Sequence, residues 1–208
     1  MPTLEMPPSP RLTSALFRIT VGQYHEMIER GIIPEGSPTE LLDGMVVYKD
    51  RSDSREDPMA HGPKHRLAVR LLTKLASRID SERRHFQLQL PIHLSSFDEP
   101  EPDGAIISGS DRQFEDHLPS AADVLCVIEI AHSSLERDSE DKYAKYAAAG
   151  IPQYVIINLR DNQIETYSQP EPATLKYAAK TVAGRADVVR LHLGNEEFLE
   201  LAPAEILP

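Results

Sequence analysis

Cysteine is almost missing from this chain. Cys126 is the only one in 208 residues, so no intrachain disulfide can form and the paired-cysteine zinc patterns are excluded. A reducing cytoplasm is the setting this suits. No run approaches the roughly 18 apolar residues a membrane span needs. The opening stretch MPTLEMPPSPRLTS also lacks the basic start and apolar centre of a signal peptide, so neither export nor membrane insertion is expected. Basic charge is in deficit, with a formal net charge of −11, which counts against a general attraction to nucleic acid or anionic lipid. There is no internal repeat and no long low-complexity segment.

What is present reads as one domain of ordinary size, residues 16–208, behind a Pro- and Ser-rich arm at 1–15. Thr20 fits the N-cap of a short helix through Arg30 that ends at Gly31. In ELLDGMVVYKD, Asp43-Gly44 predicts a hairpin turn between strands running from about Glu40 to Tyr48. A loop is expected at 50–63. Leu67, Leu71, Leu72, Leu75 and Ile79 then recur at helical spacing, which predicts one amphipathic helix over 64–79 lying on a sheet. HFQLQLPIHL alternates like a half-exposed strand, and PDGAIIS and VLCVIEIA follow as strands. A helix from Asp138 to Ala149 stops at Gly150, and QYVIINL and QIETYS form a hairpin about Arg160, Asp161 and Asn162. Weaker strands follow Gln169. Helices interspersed with strands, one of which is apolar on both faces, predict an α/β fold: a mixed β-sheet flanked by helices.

The chemistry begins with Glu129, a carboxylate inside the apolar run VLCVIEIA. Burying it is costly unless it is paired, hydrogen-bonded or bound to a metal. Asp103, at the start of a strand after Pro102, is a candidate partner, and two acids on adjacent strands could share a divalent cation. Mg²⁺, with Mn²⁺ as a substitute, takes one or two carboxylates and leaves other positions to water and phosphate oxygens. Lys142, in the following helix, could orient a water and offset developing negative charge. The alternatives are a structural ion pair at Glu129, a turn role for Asp103, and a helix-surface pair of Lys142 with Asp138 at i, i+4.

A longer string now carries a resemblance: ELLDG at 40–44, Pro102-Asp103, VIEIAHSS at 127–134, Asp138, Lys142 and Tyr146, then AGIPQYVIINL at 149–159. From about residue 16 to 168 it resembles the Uma-type restriction-endonuclease-like family of the PD-(D/E)-x-K nuclease superfamily. The resemblance implies a restriction-endonuclease-like fold and a Mg²⁺-dependent endonuclease acting on DNA. It assigns the metal to Asp103 and Glu129 and catalysis to Glu40, Asp103, Glu129 and Lys142. A homodimer joined through the sheet edge or hairpin is a separate expectation. Two departures stand out: Ala131 occupies the position of the superfamily's usual lysine, with Lys142 taking over from the next helix, and HSSLERD lacks the proline common there. A nuclease-like fold kept as a non-catalytic binding or assembly module is the alternative.

Charge distribution bears on DNA. Between residues 64 and 84 seven bases face two acids, a local balance of +5. His65 opens this stretch, and Arg66, Arg70, Lys74 and Arg78 are spaced by four, a stripe that could track phosphates or simply be solvated. His61 and His65 have the spacing of a helical metal pair, but Gly62-Pro63 between them argues against one helix there. Ser133, Ser134 and Cys126 have no activating triad, and Cys126 is expected in the core.

Overall fold

The computed structural model describes residues 16–49, 62–131 and 142–208. The expected arm at 1–15, most of the 50–63 loop, His61, Ser133, Ser134 and the start of the helix expected from Asp138 lie outside these residues.

Helix α1, Val21–Glu29, starts as its sequence dictates: the Thr20 hydroxyl accepts from the Gln23 amide while the Gln23 side chain accepts from the Thr20 amide. The hairpin β1, Thr39–Leu42, and β2, Met45–Tyr48, turns at Asp43 (φ 53°) and Gly44 (φ 71°), the positive pair that a two-residue turn of this twist requires. β1 is buried at all four residues, and Val21, Tyr24, Ile33 and Leu41 form a small core between it and α1.

The long helix expected at 64–79 is instead two, α2, Pro63–Thr73, and α3, Ala76–Ile79. The chain tightens between them, where the amides of Lys74 and Leu75 bond the carbonyls of Leu71 and Leu72, three residues back. The buried stripe is Ala68, Leu72, Leu75 and Ile79, leaving Leu67 exposed. β3, Arg84–Leu88, is also shorter and drier than its alternation suggests: His85, Phe86 and Gln87 are all buried, and the strand stops where Gln89 takes φ 49° two residues before Pro91. Burial there follows from layers on both sides of the sheet, which a lone strand pattern does not reveal.

Five more strands complete the main sheet: β4, Gly104–Ser108; β5, Val124–Ala131; β6, Gln153–Asn158; β7, Gln163–Glu171; and β8, Lys176–Ala183. Their order is β3-β4-β5-β6-β7-β8, antiparallel except for the parallel pair β5–β6, whose crossover includes α4, Tyr143–Ala148. Cys126, Ile128 and Ile130 of β5 pack on the face of α2 and α3, together with a second hairpin, β9, Val189–His192, and β10, Phe198–Leu201. Val127 and Ala131 pack on the opposite face with Tyr146 and Ala147 of α4. Strand periodicity therefore sends Glu129 to the α4 face. No helix among the described residues is long and apolar enough to cross a membrane.

Candidate active site

Three acids reach one end of the sheet by different routes. Glu40 comes from β1, which is tied to the incoming segment by reciprocal backbone bonds between Leu41 and Glu99. Glu40 Oε2 accepts from the Glu101 amide at 3.2 Å, and Oε1 is buried with no hydrogen bond among the described residues. Asp103 stands just before β4, where its Oδ2 accepts from the Ile130 amide at 2.9 Å and its Oδ1 from Gln89 Nε2 at 3.2 Å. Its backbone amide lies 3.4 Å from Glu129 Oε2, so the two sequence-predicted metal ligands are neighbours across β4 and β5.

Lys142, at the N-terminal end of α4, is 4 % exposed and enters this cluster. Its Nζ donates to Glu129 Oε1 at 2.9 Å and stands 3.1 Å from Glu40 Oε2. One ammonium thus bridges two buried acids, the pairing that makes such burial tolerable. Its expected pairing alternative, Asp138, lies outside the described residues. Tyr146, one helical turn beyond Lys142, donates to the same Glu129 Oε1 at 2.9 Å. Burial, reinforced by the Glu129 charge, raises the Tyr146 pKa and keeps the phenol a donor.

His65 is brought by the first turn of α2 to within 3.4 Å of Asp103 Oδ1. Burial works against ionisation of Asp103, but His65, the Ile130 amide and Lys49 outweigh it and hold the carboxyl well below the usual range. Lys49 is paired with Glu101. The rest of the basic stripe divides. Arg66 and Arg70 of α2 and Lys74 just past its end are exposed; Arg78, on α3, bonds Glu205 at 2.8 Å and the Glu200 carbonyl at 2.9 Å. The break between the two helices is what separates Arg78 from the other three.

Gln89 and Lys49 were not singled out by sequence reasoning, and Tyr146 stood only within the family string, with no role assigned to it. Tyr146 had a usable signal, its i+4 spacing from Lys142. Gln89 and Lys49 had none, because the contacts that make them relevant join distant segments. Cys126, fully buried, has its thiol pKa raised by that burial and is a core residue, as expected.

A hard divalent cation fits these donors. Asp103 and Glu129 offer carboxylate oxygens, and beside them Glu40 Oε1 is buried without a hydrogen bond among the described residues. No group of three or more histidine, cysteine or acidic side chains among the described residues is assembled to hold an ion. Two carboxylates with the remaining positions left to water and phosphate oxygens is the habit of Mg²⁺ rather than of a closed protein cage.

With this geometry in view, the Uma2 family model, described as "Putative restriction endonuclease", matches residues 22–203. The chain belongs to the Uma2 family. The match extends past the segment 16–168 that carried the resemblance, so β8, β9 and β10 lie within the family's span. Among solved structures, the chain is similar to one from Anabaena variabilis described as "a putative nuclease belonging to DUF820". The two are 13% identical, with a TM-score of 0.62 over 90% of this chain and 97% of that one, a likeness of fold. No curated protein matches. Uma2 membership supports a nuclease-like function, and the mixed sheet flanked by helices agrees with the restriction-endonuclease-like architecture expected from sequence.

Proposed function

We propose that this protein is a Mg²⁺-dependent endonuclease that hydrolyses phosphodiester bonds in DNA, with Mn²⁺ as a working substitute. The observation that carries the reading is the buried Lys142 ammonium set between Glu129 and Glu40, beside Asp103. Asp103 and Glu129 would hold the metal. When bound, the ion supplies a polarised phosphodiester and a more acidic water. Lys142 orients the attacking water and offsets the negative charge that develops on the phosphate. Glu40 holds Lys142 in place and offers Oε1 as an acceptor for that water. The water oxygen bonds to phosphorus as one of its protons passes to Glu40 Oε1, the opposite P–O bond breaks, and the leaving oxygen takes a proton from solvent, giving a phosphate monoester and a hydroxyl end.

DNA would lie along α2. His65 is at the helix end nearest Asp103, and the exposed Arg66, Arg70 and Lys74 continue away from it as phosphate contacts. This local basic surface answers the acidic total charge. The same reading treats residues 16–208 as one domain working in a reducing cytoplasm. It also takes the protein as a homodimer, with the exposed apolar residues Met45, Val46 and Tyr48 of β2 as the contact.

The test is cleavage of supercoiled plasmid with Mg²⁺ or Mn²⁺ by the wild-type chain, Asp103→Asn and Glu129→Gln. Metal-dependent nicking lost in both variants is the expected result. Activity unchanged in both, or no metal-dependent cleavage and no metal binding by the wild type, overturns the proposal. In the latter case the acidic total charge favours the second reading, a nuclease-like fold serving as a binding or assembly module.

A further inference from the structure

We infer that Tyr146 is a positioning residue of this site, its hydroxyl fixing the rotation of the Glu129 carboxylate so that Oε1 serves Lys142 and Oε2 faces Asp103. The inference rests on the metal-dependent reading above. Tyr146 is fully buried, and its ring packs against Tyr154 with centroids 5.0 Å apart, so the phenol itself has little freedom. Its hydroxyl and the Lys142 ammonium reach the same oxygen, each at 2.9 Å, from positions one turn apart on one helix. Glu129 Oε2 is thereby turned toward the Asp103 amide, 3.4 Å away.

The two donors are not equivalent. An ammonium attracts either carboxylate oxygen, and Lys142 also serves Glu40, so its pull does not define one rotation of the Glu129 head. A phenol on a rigid ring donates along one direction and does. Removing it leaves Glu129 charged and paired with Lys142 but without the directed bond from a rigid ring, and a ligand that has lost such a support commonly loses 10- to 100-fold in metal affinity.

Three single substitutions in the full-length chain test this, read by Mn²⁺ calorimetry, thermal melting and plasmid cleavage. Tyr146→Phe removes one oxygen and keeps the ring. It is expected to weaken Mn²⁺ binding about 10- to 100-fold, with cleavage recovering as Mn²⁺ is raised. Tyr177→Phe, altering a tyrosine of the same cluster whose hydroxyl has no hydrogen bond among the described residues, is expected to leave Mn²⁺ affinity within about twofold, which separates positioning from general core disturbance. Tyr146→His, which keeps a donor, is expected to bind Mn²⁺ more tightly than Tyr146→Phe; should the Phe variant not fold, Tyr146→His is compared with the wild type and is expected within about tenfold of its Mn²⁺ affinity. The inference is overturned if Mn²⁺ affinity survives Tyr146→Phe while Glu129→Gln abolishes it, or if His and Phe at 146 behave alike. Absence of Mn²⁺ binding in the wild type would instead bring down the functional reading itself, and this inference with it.

Discussion

Glu129 on β5 and Glu165 on β7 both pair with Ile156 of β6, so they stand in one cross-strand row about 10 Å apart and point to the same face. Each is buried, and each accepts from a lysine and a tyrosine: Lys142 and Tyr146 for Glu129, Lys180 and Tyr167 for Glu165. Their surroundings differ. Glu165 Oε1 accepts from Asn158 at 2.9 Å and Gln163 at 3.2 Å, and Oε2 from Tyr167 at 2.7 Å with Lys180 also at 2.7 Å. All its acceptor positions are used, and among the described residues no second acid shares its lysine. Glu129 shares its lysine with Glu40, lies against Asp103, and belongs to a cluster in which Glu40 Oε1 has no hydrogen bond among the described residues. A saturated carboxylate holds a fold together, whereas a crowded and incompletely satisfied set of carboxylates is suited to taking a cation.

The largest effect should come from removing the two lysines in turn. Lys142→Met leaves two buried acids without their shared cation and is expected to cost about 3–5 kcal/mol of stability and to abolish cleavage. Lys180 is half-exposed, so Lys180→Met should cost about 1 kcal/mol or less and spare activity. Urea denaturation compares the two, and equal losses would erase the distinction between the sites. Next come the glutamates themselves: Glu129→Gln should lower metal-dependent plasmid cleavage at least about 100-fold, whereas Glu165→Gln should stay within about threefold of wild type.

A pH titration sharpens the comparison from the other side. Although burial works against it, bonds from Lys180, Asn158, Tyr167 and Gln163 lower the Glu165 pKa to about 2, below the unfolded value near 4.5. Its contribution is therefore complete above the unfolded value and lost as pH falls toward 2. Stability measured between pH 5 and 2 should fall less steeply in Glu165→Gln than in wild type, and an identical slope would contradict this account. The smallest effect belongs to the DNA surface. Arg70→Ala should reduce the dependence of log affinity on log salt by about 1, while Arg78→Ala, whose side chain is committed to Glu205 and Glu200, should leave it unchanged.

Much of this was legible from residue order. The Thr20 cap, the Asp43-Gly44 turn and the β6–β7 hairpin depend on neighbours a few positions apart, and they form as their local chemistry prescribes. Glu129 stood out because an acid in an apolar strand requires compensation, that need pointed to Asp103 and Lys142, and the family string added Glu40. Glu165 gave no comparable signal, since QIETYS reads as an ordinary alternating strand and the cover on its face comes from elsewhere. The break between α2 and α3 was hidden as well, because apolar spacing is nearly the same whether or not one turn tightens.

The sequence by itself determined the element types, the mixed α/β class and the parity that puts Glu129 on one face and Cys126, Ile128 and Ile130 on the other, because strand geometry alternates side chains with a period of two. Only the tertiary structure decided which cation meets which acid. Lys142 could have remained on a helix surface, and Arg78 could have remained available to phosphate. Instead the crossover after β5 carries Lys142 inward, and the C-terminal segment occupies Arg78. Those pairings join residues 13 to 127 positions apart, where packing of whole elements, not local preference, sets the distance.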